Sequence, residues 1–289
     1  MTGLAGPASP PHDYLEAETA WRQRIEVSLR GEESWLALVG LFWLQDGEQA
    51  AGSDTSLPIA LPLQTAPALV GHFRVQEGQV VFTRAKGVTA QVAGQSIDQI
   101  ALEPDTTDHP TRLQIGRVSM IVLRRGSRLG LRVWDRQSPQ RSAFPGRVWF
   151  RLDPGWRMQG IYAAYDPPRP IRIATILGDS EQELSPGEVV FEHSGQTVHL
   201  HVCTCDADGL FLAFSDFTNG SLTYPAGRYL RALPPVDGQV VLDFNRATNP
   251  PCAFTPFATC PLPPEGNRLN FAVPAGERFV SNVDDGPPA

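Results

Sequence analysis

The first regular pattern in the chain is a helical spacing of apolar residues between positions 13 and 30. Asp13 can cap such a helix and Glu16 follows three residues later, as in a capping box, while Gly31 is a natural stop. A shorter second helix is predicted over 32–39, so that residues 13–40 form an N-terminal helical segment. The apolar positions near one face of the first helix are Tyr14, Ala17, Trp21, Ile25 and Leu29.

Beyond this segment the pattern changes to short apolar runs separated by glycine, proline, aspartate and serine. Such spacing is typical of an all-β sandwich or barrel. A first β module is predicted over 41–140 and a second over 141–280, with a seam near 135–150. The sequence therefore predicts a mainly β fold, in which an N-terminal helix is followed by two packed β-sandwich or barrel-like modules. Residues 1–12 are predicted to be a disordered tail and residues 281–289 a frayed one.

A proline-punctuated block runs from Asp243 to Pro264, and the loop within it is predicted at 245–267. Proline lacks an N–H donor, so the block cannot be a helix or a central strand. Loops of this length are uncommon in compact domains and are usually functional or disordered. Because the block carries three phenylalanines and two cysteines, disorder is disfavoured. We therefore expect the loop to fold onto the body of the protein.

Composition narrows the classes of function. The chain has a net charge of −7 and no basic run, which does not suit binding to a phosphate backbone, so no nucleic-acid partner is expected. The start of the chain lacks the features of a secretory signal, and no apolar run is long enough to span a bilayer. A cytoplasmic protein with no membrane partner and four reduced thiols is expected. No glycine-rich phosphate or dinucleotide motif appears, so no cofactor is predicted, and the oligomeric state stays open.

Histidine and cysteine alternate in a run formed by His199, His201, Cys203 and Cys205. In a single strand this alternation would place all four on one face and apolar residues on the other. Imidazole and thiolate are zinc ligands. However, residues two apart in a strand are separated by roughly 6.6–7 Å, so the four cannot surround one ion, and at most an adjacent pair could be completed by Cys252 or Cys260. The favoured interpretation is a strand with a solvated His/Cys face and no metal.

Cys252 and Cys260 both lie in the proline-rich loop. Their spacing is not the short pair spacing of zinc ribbons or redox motifs. A disulfide would close the loop, but a cytoplasmic location disfavours it. No histidine could be placed beside either cysteine as a base. The favoured interpretation is a pair of buried free cysteines that act as small hydrophobes under the loop.

Charged residues at the ends of predicted strands supply candidates for a polar site. Asp216 ends an apolar run and needs a partner, which Arg228 or Arg132 could supply. Asp216 could act as a general acid or base with Arg228 as a substrate clamp. The favoured alternative is a structural ion pair beside a turn around Asn219. Arg132 and Asp135 could likewise line a pocket or staple a β corner.

Several motifs are distributed along the chain: Trp35-Leu-x-x-x-Gly-Leu-x-Trp-Leu-x-x-Gly47, Gly130-Leu-Arg-Val-x-Asp135, Phe144-x-Gly146, Asp216-x-Thr-x-Gly220, Thr223-Tyr-x-x-Gly-Arg-Tyr-Leu230 and the proline-rich block. Together these motifs resemble the bacterial family catalogued as domain of unknown function 1684. The resemblance covers about residues 21–277 and implies no activity, so it assigns no catalytic role.

The first module also resembles, over 44–123, a forkhead-associated-like sandwich, but it lacks the arginine and Ser-x-x-His usual in the phosphopeptide site.

Three functional hypotheses follow from these observations. The first is a protein that binds a small polar or anionic ligand in a pocket closed by the proline-rich loop. The second is a hydrolase or lyase that uses Asp216 as acid or base. The third is a structural or interaction module without a small-molecule site. The residues predicted to line the pocket are Arg132, Asp135, Asp216, Arg228, Tyr229, Asn245 and Asn249.

Overall fold

In the computed structural model, which describes residues 12–280, the chain consists mainly of strands. The predicted tails lie outside these residues, except that His12 already belongs to the first helix. The helices are α1 (His12–Leu29) and α2 (Pro139–Ala143), and the strands are β1 (Leu38–Trp43), β2 (Gly47–Gly52), β3 (Ile59–Ala60), β4 (Gly71–Gln76), β5 (Gln79–Arg84), β6 (Ala90–Val92), β7 (Gln95–Ser96), β8 (Gln99–Leu102), β9 (Leu113–Ile115), β10 (Val118–Arg125), β11 (Arg128–Asp135), β12 (Val148–Trp149), β13 (Arg157–Ala174), β14 (Ser180–His193), β15 (Gln196–His201), β16 (Thr204–Asp206), β17 (Gly209–Phe214), β18 (Arg228–Ala232), β19 (Gln239–Asp243) and β20 (Glu277–Arg278).

The N-terminal segment contains one long helix where two helices were predicted. Helix α1 ends at Leu29, close to the predicted stop. The second helix predicted over 32–39 is wrong, because turns follow α1 and strand β1 begins at Leu38. Strand β1 pairs with β11 in antiparallel register. This long-range pairing overrides the local helical pattern.

Within residues 12–280 neither helix is long and apolar enough to cross a bilayer.

The chain divides into two compact units, which are described separately. The N-terminal unit comprises residues 24–145, and the C-terminal unit comprises residues 12–23 together with 146–280. Both units are built from β-sheets. The predicted mainly β fold, with an N-terminal helix and sandwich or barrel-like modules, is confirmed. The forkhead-associated likeness of residues 44–123 stays a prediction.

The N-terminal unit is a sandwich of two antiparallel sheets with one parallel edge strand. One sheet has the order β1-β11-β10-β9-β6-β7 and the other β3-β2-β4-β5-β8. Alternating residues of both sheets form a shared apolar core, to which Phe73 and Phe82 contribute fully buried rings 4.9 Å apart. Burial alternates along β4 and β5, whereas β10 and β11 are buried at nearly every position.

The C-terminal unit contains a four-stranded sheet, β15-β14-β13-β19, and a three-stranded sheet, β16-β17-β18. Strands β12 and β20 pair with each other. The apolar core contains buried residues from both larger sheets and includes the fully buried ring of Phe244, which follows β19 directly. The burial of Phe244 in this core thus holds the start of the proline-rich loop at the end of β19.

The proline-rich loop is ordered by short helical turns and isolated backbone bridges. It contains 3₁₀ turns at Phe244–Arg246, Pro251–Ala253 and Glu265–Asn267. Thr248 exchanges backbone hydrogen bonds of 2.9 Å with Tyr229, and Pro261 forms a bridge with Thr175. These bonds pair some of the backbone N–H and C=O groups of the loop, which no long helix or sheet satisfies. They also hold the loop against β18 and the end of β13.

Candidate functional site

Asp216 and Arg228 form an ion pair that is sealed inside the C-terminal unit. Both side chains have zero exposure, and Nη2 of Arg228 donates to Oδ2 of Asp216 at 2.7 Å. The same guanidinium donates to the carbonyls of Val273 and Ala275. The second carboxylate oxygen of Asp216 accepts from the hydroxyl and N–H of Thr218, at 2.6 and 2.8 Å. Burial lowers the pKa of Arg228, and the adjacent carboxylate opposes that shift.

This arrangement joins β17 and β18 to the chain segment at 273–275. A substrate could reach neither charged group without a movement of the surrounding protein, because both side chains have zero exposure. Buried ion pairs that are hydrogen-bonded in this way are structural elements whose disruption leaves an uncompensated charge. The geometry of Asp216 and Arg228 therefore favours the structural alternative over an acid–base role.

Tyr229, Asn245 and Asn249 fasten the proline-rich loop to its surroundings. The hydroxyl of Tyr229 donates to the Pro261 carbonyl at 2.8 Å. Asn245, which is fully buried, donates to the Asp153 carbonyl at 2.8 Å and accepts from the Asp153 N–H at 3.1 Å. The Asn249 amide donates to the Arg278 carbonyl at 3.0 Å. The side chain of each of these predicted pocket residues is thus hydrogen-bonded to a backbone carbonyl. One carbonyl belongs to the loop, at Pro261, and the other two lie outside it, at Asp153 and Arg278.

Arg132 and Asp135 belong to the N-terminal unit, on strand β11. Asp135 is 2% exposed and accepts from Nη2 of Arg117 at 2.7 Å and from the N–H of Gln137 at 2.9 Å. The Arg132 guanidinium lies 5.4 Å from the ring centroid of Trp35, within cation–π range. These contacts match the alternative in which the two charges staple a β corner.

The His/Cys run does not form one strand face, so that prediction is wrong. Strand β15 ends at His201, and the chain then crosses to the three-stranded sheet. His199 is exposed and pairs with Glu188 at 3.2 Å, whereas Nδ1 of His201 lies 3.1 Å from the Tyr165 hydroxyl. Cys203 turns inward onto an apolar cluster, where burial raises its pKa. Across residues 12–280, no three His, Cys, Asp or Glu side chains form a group suited to a metal ion.

Cys252 and Cys260 meet within the loop, flanked by two tyrosines. The N–H of Cys252 donates to Sγ of Cys260 at 3.1 Å. Tyr224 contacts Cys252 and donates to its carbonyl at 3.1 Å. Tyr229 contacts Cys260 from the other side. Cys260 is 3% exposed and Cys252 is half-buried, so solvent reaches the pair through Cys252.

The interaction between the two side chains shifts the pKa values of the two thiols in opposite directions. Donation from Cys260 lowers the pKa of Cys252 to about 7, with a smaller contribution from Tyr224 and opposition from burial. The same hydrogen bond, together with burial, raises the pKa of Cys260. At neutral pH Cys252 therefore carries a substantial thiolate fraction, and the thiolate is the nucleophilic form of cysteine.

The sequence analysis assigned this pair a packing role because the spacing of the two cysteines matches no motif; both are free, as predicted, but Cys252 is only partly buried. The Pro251–Ala253 turn and the bridge from Pro261 to Thr175 bring the two positions together. The available signal was the pair of tyrosines, Tyr224 and Tyr229, in the segment that follows the Asp216 turn. A tyrosine hydroxyl near a thiol can stabilise its anion, as a hydrogen bond to any charged form does.

Comparison with known proteins places the loop and its surroundings in a catalogued family. A family model described as "Protein of unknown function (DUF1684)" matches residues 142–278. An uncharacterised protein of Haloarcula marismortui, solved by solution NMR, is 32% identical over 50% of this chain and 82% of its own, with a TM-score of 0.41. No curated protein matches the chain.

Proposed function

The chain belongs to the DUF1684 family of proteins of unknown function, and on that premise we propose that it acts through Cys252 as a reactive thiol toward a small electrophilic substrate. The family description names no reaction or ligand, so the support for this proposal comes from the residues of this chain. One observation carries it: the partly exposed Cys252 donates its N–H to Sγ of Cys260 at 3.1 Å and accepts at its carbonyl from the Tyr224 hydroxyl at 3.1 Å.

The other described thiols do not share these features. Cys203 and Cys260 are buried, and burial contributes to a raised pKa for both. Cys205 is exposed on β16. Reactive cysteines are partly exposed and have neighbours that stabilise the thiolate, whereas buried structural ones are inert. Cys252 is partly exposed, and the hydrogen bond from Cys260 lowers its pKa.

This proposal narrows the small-ligand hypothesis and changes its site. The ligand would meet the loop at Cys252 rather than enter a pocket around Asp216 and Arg228, which are fully enclosed. A cytoplasmic location is part of the proposal, because a reducing compartment keeps neighbouring cysteines as thiols. In this view the polar residues at the loop root hold Cys252 in place and do not contact the substrate.

The pH dependence of alkylation tests the proposal. The rate at which iodoacetamide labels Cys252, followed by mass spectrometry of the peptide, is expected to rise with pH through a midpoint of about 7. The labelling rate falls at lower pH because protonation of Cys252 below the midpoint removes the nucleophilic thiolate. Tyr224→Phe is expected to move the midpoint upward, since it removes a hydrogen bond that lowers the pKa of Cys252.

Two matched variants control this measurement. Cys252→Ser is expected to abolish the component with the midpoint near 7, whereas Cys205→Ser, at an exposed thiol of the same unit, leaves it unchanged. A midpoint for Cys252 near the ordinary thiol value of about 8.5 would contradict the proposal. Persistence of the component in Cys252→Ser would do the same.

A further inference from the structure

We infer that Cys252 and Cys260 function as a redox pair, in which a small hydroperoxide oxidises Cys252 and Cys260 converts the product into a disulfide. This inference rests on the proposed function and adds a substrate class and a role for the second thiol. It was not predictable from the spacing of the two residues, and no property of the family implies it.

The two cysteines already lie in contact, as the partners of a disulfide must. Sγ of Cys260 lies 3.1 Å from the N–H nitrogen of Cys252. A disulfide requires Cβ atoms about 3.5–4.5 Å apart, so distant cysteines cannot be joined without a backbone shift. Cys252 belongs to a single short turn, Pro251–Ala253, rather than to a sheet. We expect an adjustment of this one turn to bring the sulfur atoms into bonding distance.

The two steps of the reaction balance with a hydroperoxide as the oxidant. In the first step the Cys252 thiolate attacks the terminal oxygen, an S–O bond forms, the O–O bond breaks, and the leaving alkoxide is protonated to an alcohol. In the second step Cys260 attacks Sγ of Cys252, an S–S bond forms, the S–O bond breaks, and water leaves with the Cys260 proton. Two thiols are oxidised by two electrons in all, and the hydroperoxide is reduced to an alcohol and water. An external dithiol would return the pair to its reduced form by thiol–disulfide exchange.

The order of the two thiols follows from their burial. An oxidant from solvent meets the half-buried Cys252 first, because Cys260 is 3% exposed and lies behind it. Cys260 then attacks from the protein side, where it already contacts Cys252. This order matches the usual division between an accessible attacking cysteine and an adjacent resolving one.

The surroundings of Cys252 favour a small hydroperoxide over a disulfide substrate. Both substrates must place two atoms in line with Sγ, but the two oxygen atoms of a hydroperoxide are smaller than the two sulfur atoms of a disulfide and need less room beside the partly buried Cys252. Burial raises the pKa of the Tyr224 hydroxyl, so the hydroxyl keeps its proton. This proton is donated to the Cys252 carbonyl, and a small rotation of the hydroxyl would direct it to the leaving oxygen. A proton donor at this position assists the departure of an alkoxide more than that of a thiolate.

The test uses the reduced full-length chain, treated with hydrogen peroxide and analysed by intact mass, thiol titration and peptide mapping. The expected result is the loss of two thiols and two hydrogens per chain, with the peptides of Cys252 and Cys260 cross-linked. Cys205→Ser should behave like the unmodified chain. Cys260→Ser and Cys260→Ala should stop at a sulfenic acid on Cys252 that dimedone traps. Two variants are used so that a folding defect in one does not hide the outcome.

Other results would overturn the inference. A sulfenic acid that persists on Cys252 in the unmodified chain, or cross-linking of a different cysteine pair, would exclude Cys260 as the resolving thiol. Faster oxidation by hydroxyethyl disulfide than by hydrogen peroxide would exclude a hydroperoxide as the favoured substrate class. If Cys252 is alkylated with a midpoint near 7 but forms no disulfide, the redox pair fails while the reactive-thiol proposal stands; if it is not alkylated in this way, both fail.

Discussion

Replacing Asp216 with alanine is expected to lower the free energy of unfolding by about 3–5 kcal/mol, the usual cost of breaking a buried ion pair. The substitution leaves the fully buried Arg228 guanidinium without its carboxylate. It also removes the acceptor of the Thr218 hydroxyl and of the Val273 N–H. Solvation cannot compensate, because the surrounding segment encloses the site. Chemical denaturation, with the midpoint and slope both fitted, measures the change.

A second ion pair of the same unit provides the control. Arg231, on the same strand as Arg228, lies 3.6 Å from Asp206, and their side chains are 58% and 50% exposed. Asp206→Ala is therefore expected to cost no more than about 1 kcal/mol, as exposed pairs do. Equal effects of the two substitutions would contradict the structural role given to Asp216. The alkylation midpoint of Cys252 should be the same in every Asp216 variant that remains folded.

The sequence predicts much of the fold because periodicity and turn residues are local signals. Helix α1 was expected over 13–30 and is observed over His12–Leu29. The strand-rich remainder followed from short apolar runs and their spacing. The prediction failed over 32–39, where pairing of β1 with the distant β11 decides the conformation. It failed again after His201, because continued alternation of residue types does not show where a chain leaves one sheet for another.

The candidate site was less predictable for a related physical reason. Asp216, Arg228, Asn245 and Asn249 were predicted to line a pocket, but the same residue types serve a binding pocket and a buried staple equally well. Burial and the identity of hydrogen-bond partners distinguish the two, and both depend on the complete fold. The approach of Cys252 to Cys260 likewise depends on a bridge between the loop and β13, which no local pattern encodes.

Replacing Phe244 with alanine is expected to destabilise the C-terminal unit by about 3–5 kcal/mol. The ring is fully buried and its centroid lies 5.3 Å from that of Phe214 in an edge-to-face arrangement. It also lies 6.0 Å from Phe191 and 6.3 Å from Trp156. Truncation removes buried apolar area, these aromatic contacts and the volume that the ring fills. Chemical denaturation of the full chain, analysed for more than one transition because the chain has two compact units, measures the loss.

Phe217 is the matched control, because it is the same residue type in the same unit but is 59% exposed. Phe217→Ala is expected to change stability by no more than about 0.5 kcal/mol, as exposed substitutions usually do. A small effect of Phe244→Ala would mean that the core can collapse around the vacated volume, and that the root of the proline-rich loop is held by its hydrogen bonds alone. Since Asn245 is bonded independently to Asp153, the double variant Phe244→Ala with Asn245→Ala separates the two contributions: additive losses would show that packing and hydrogen bonding anchor the loop independently.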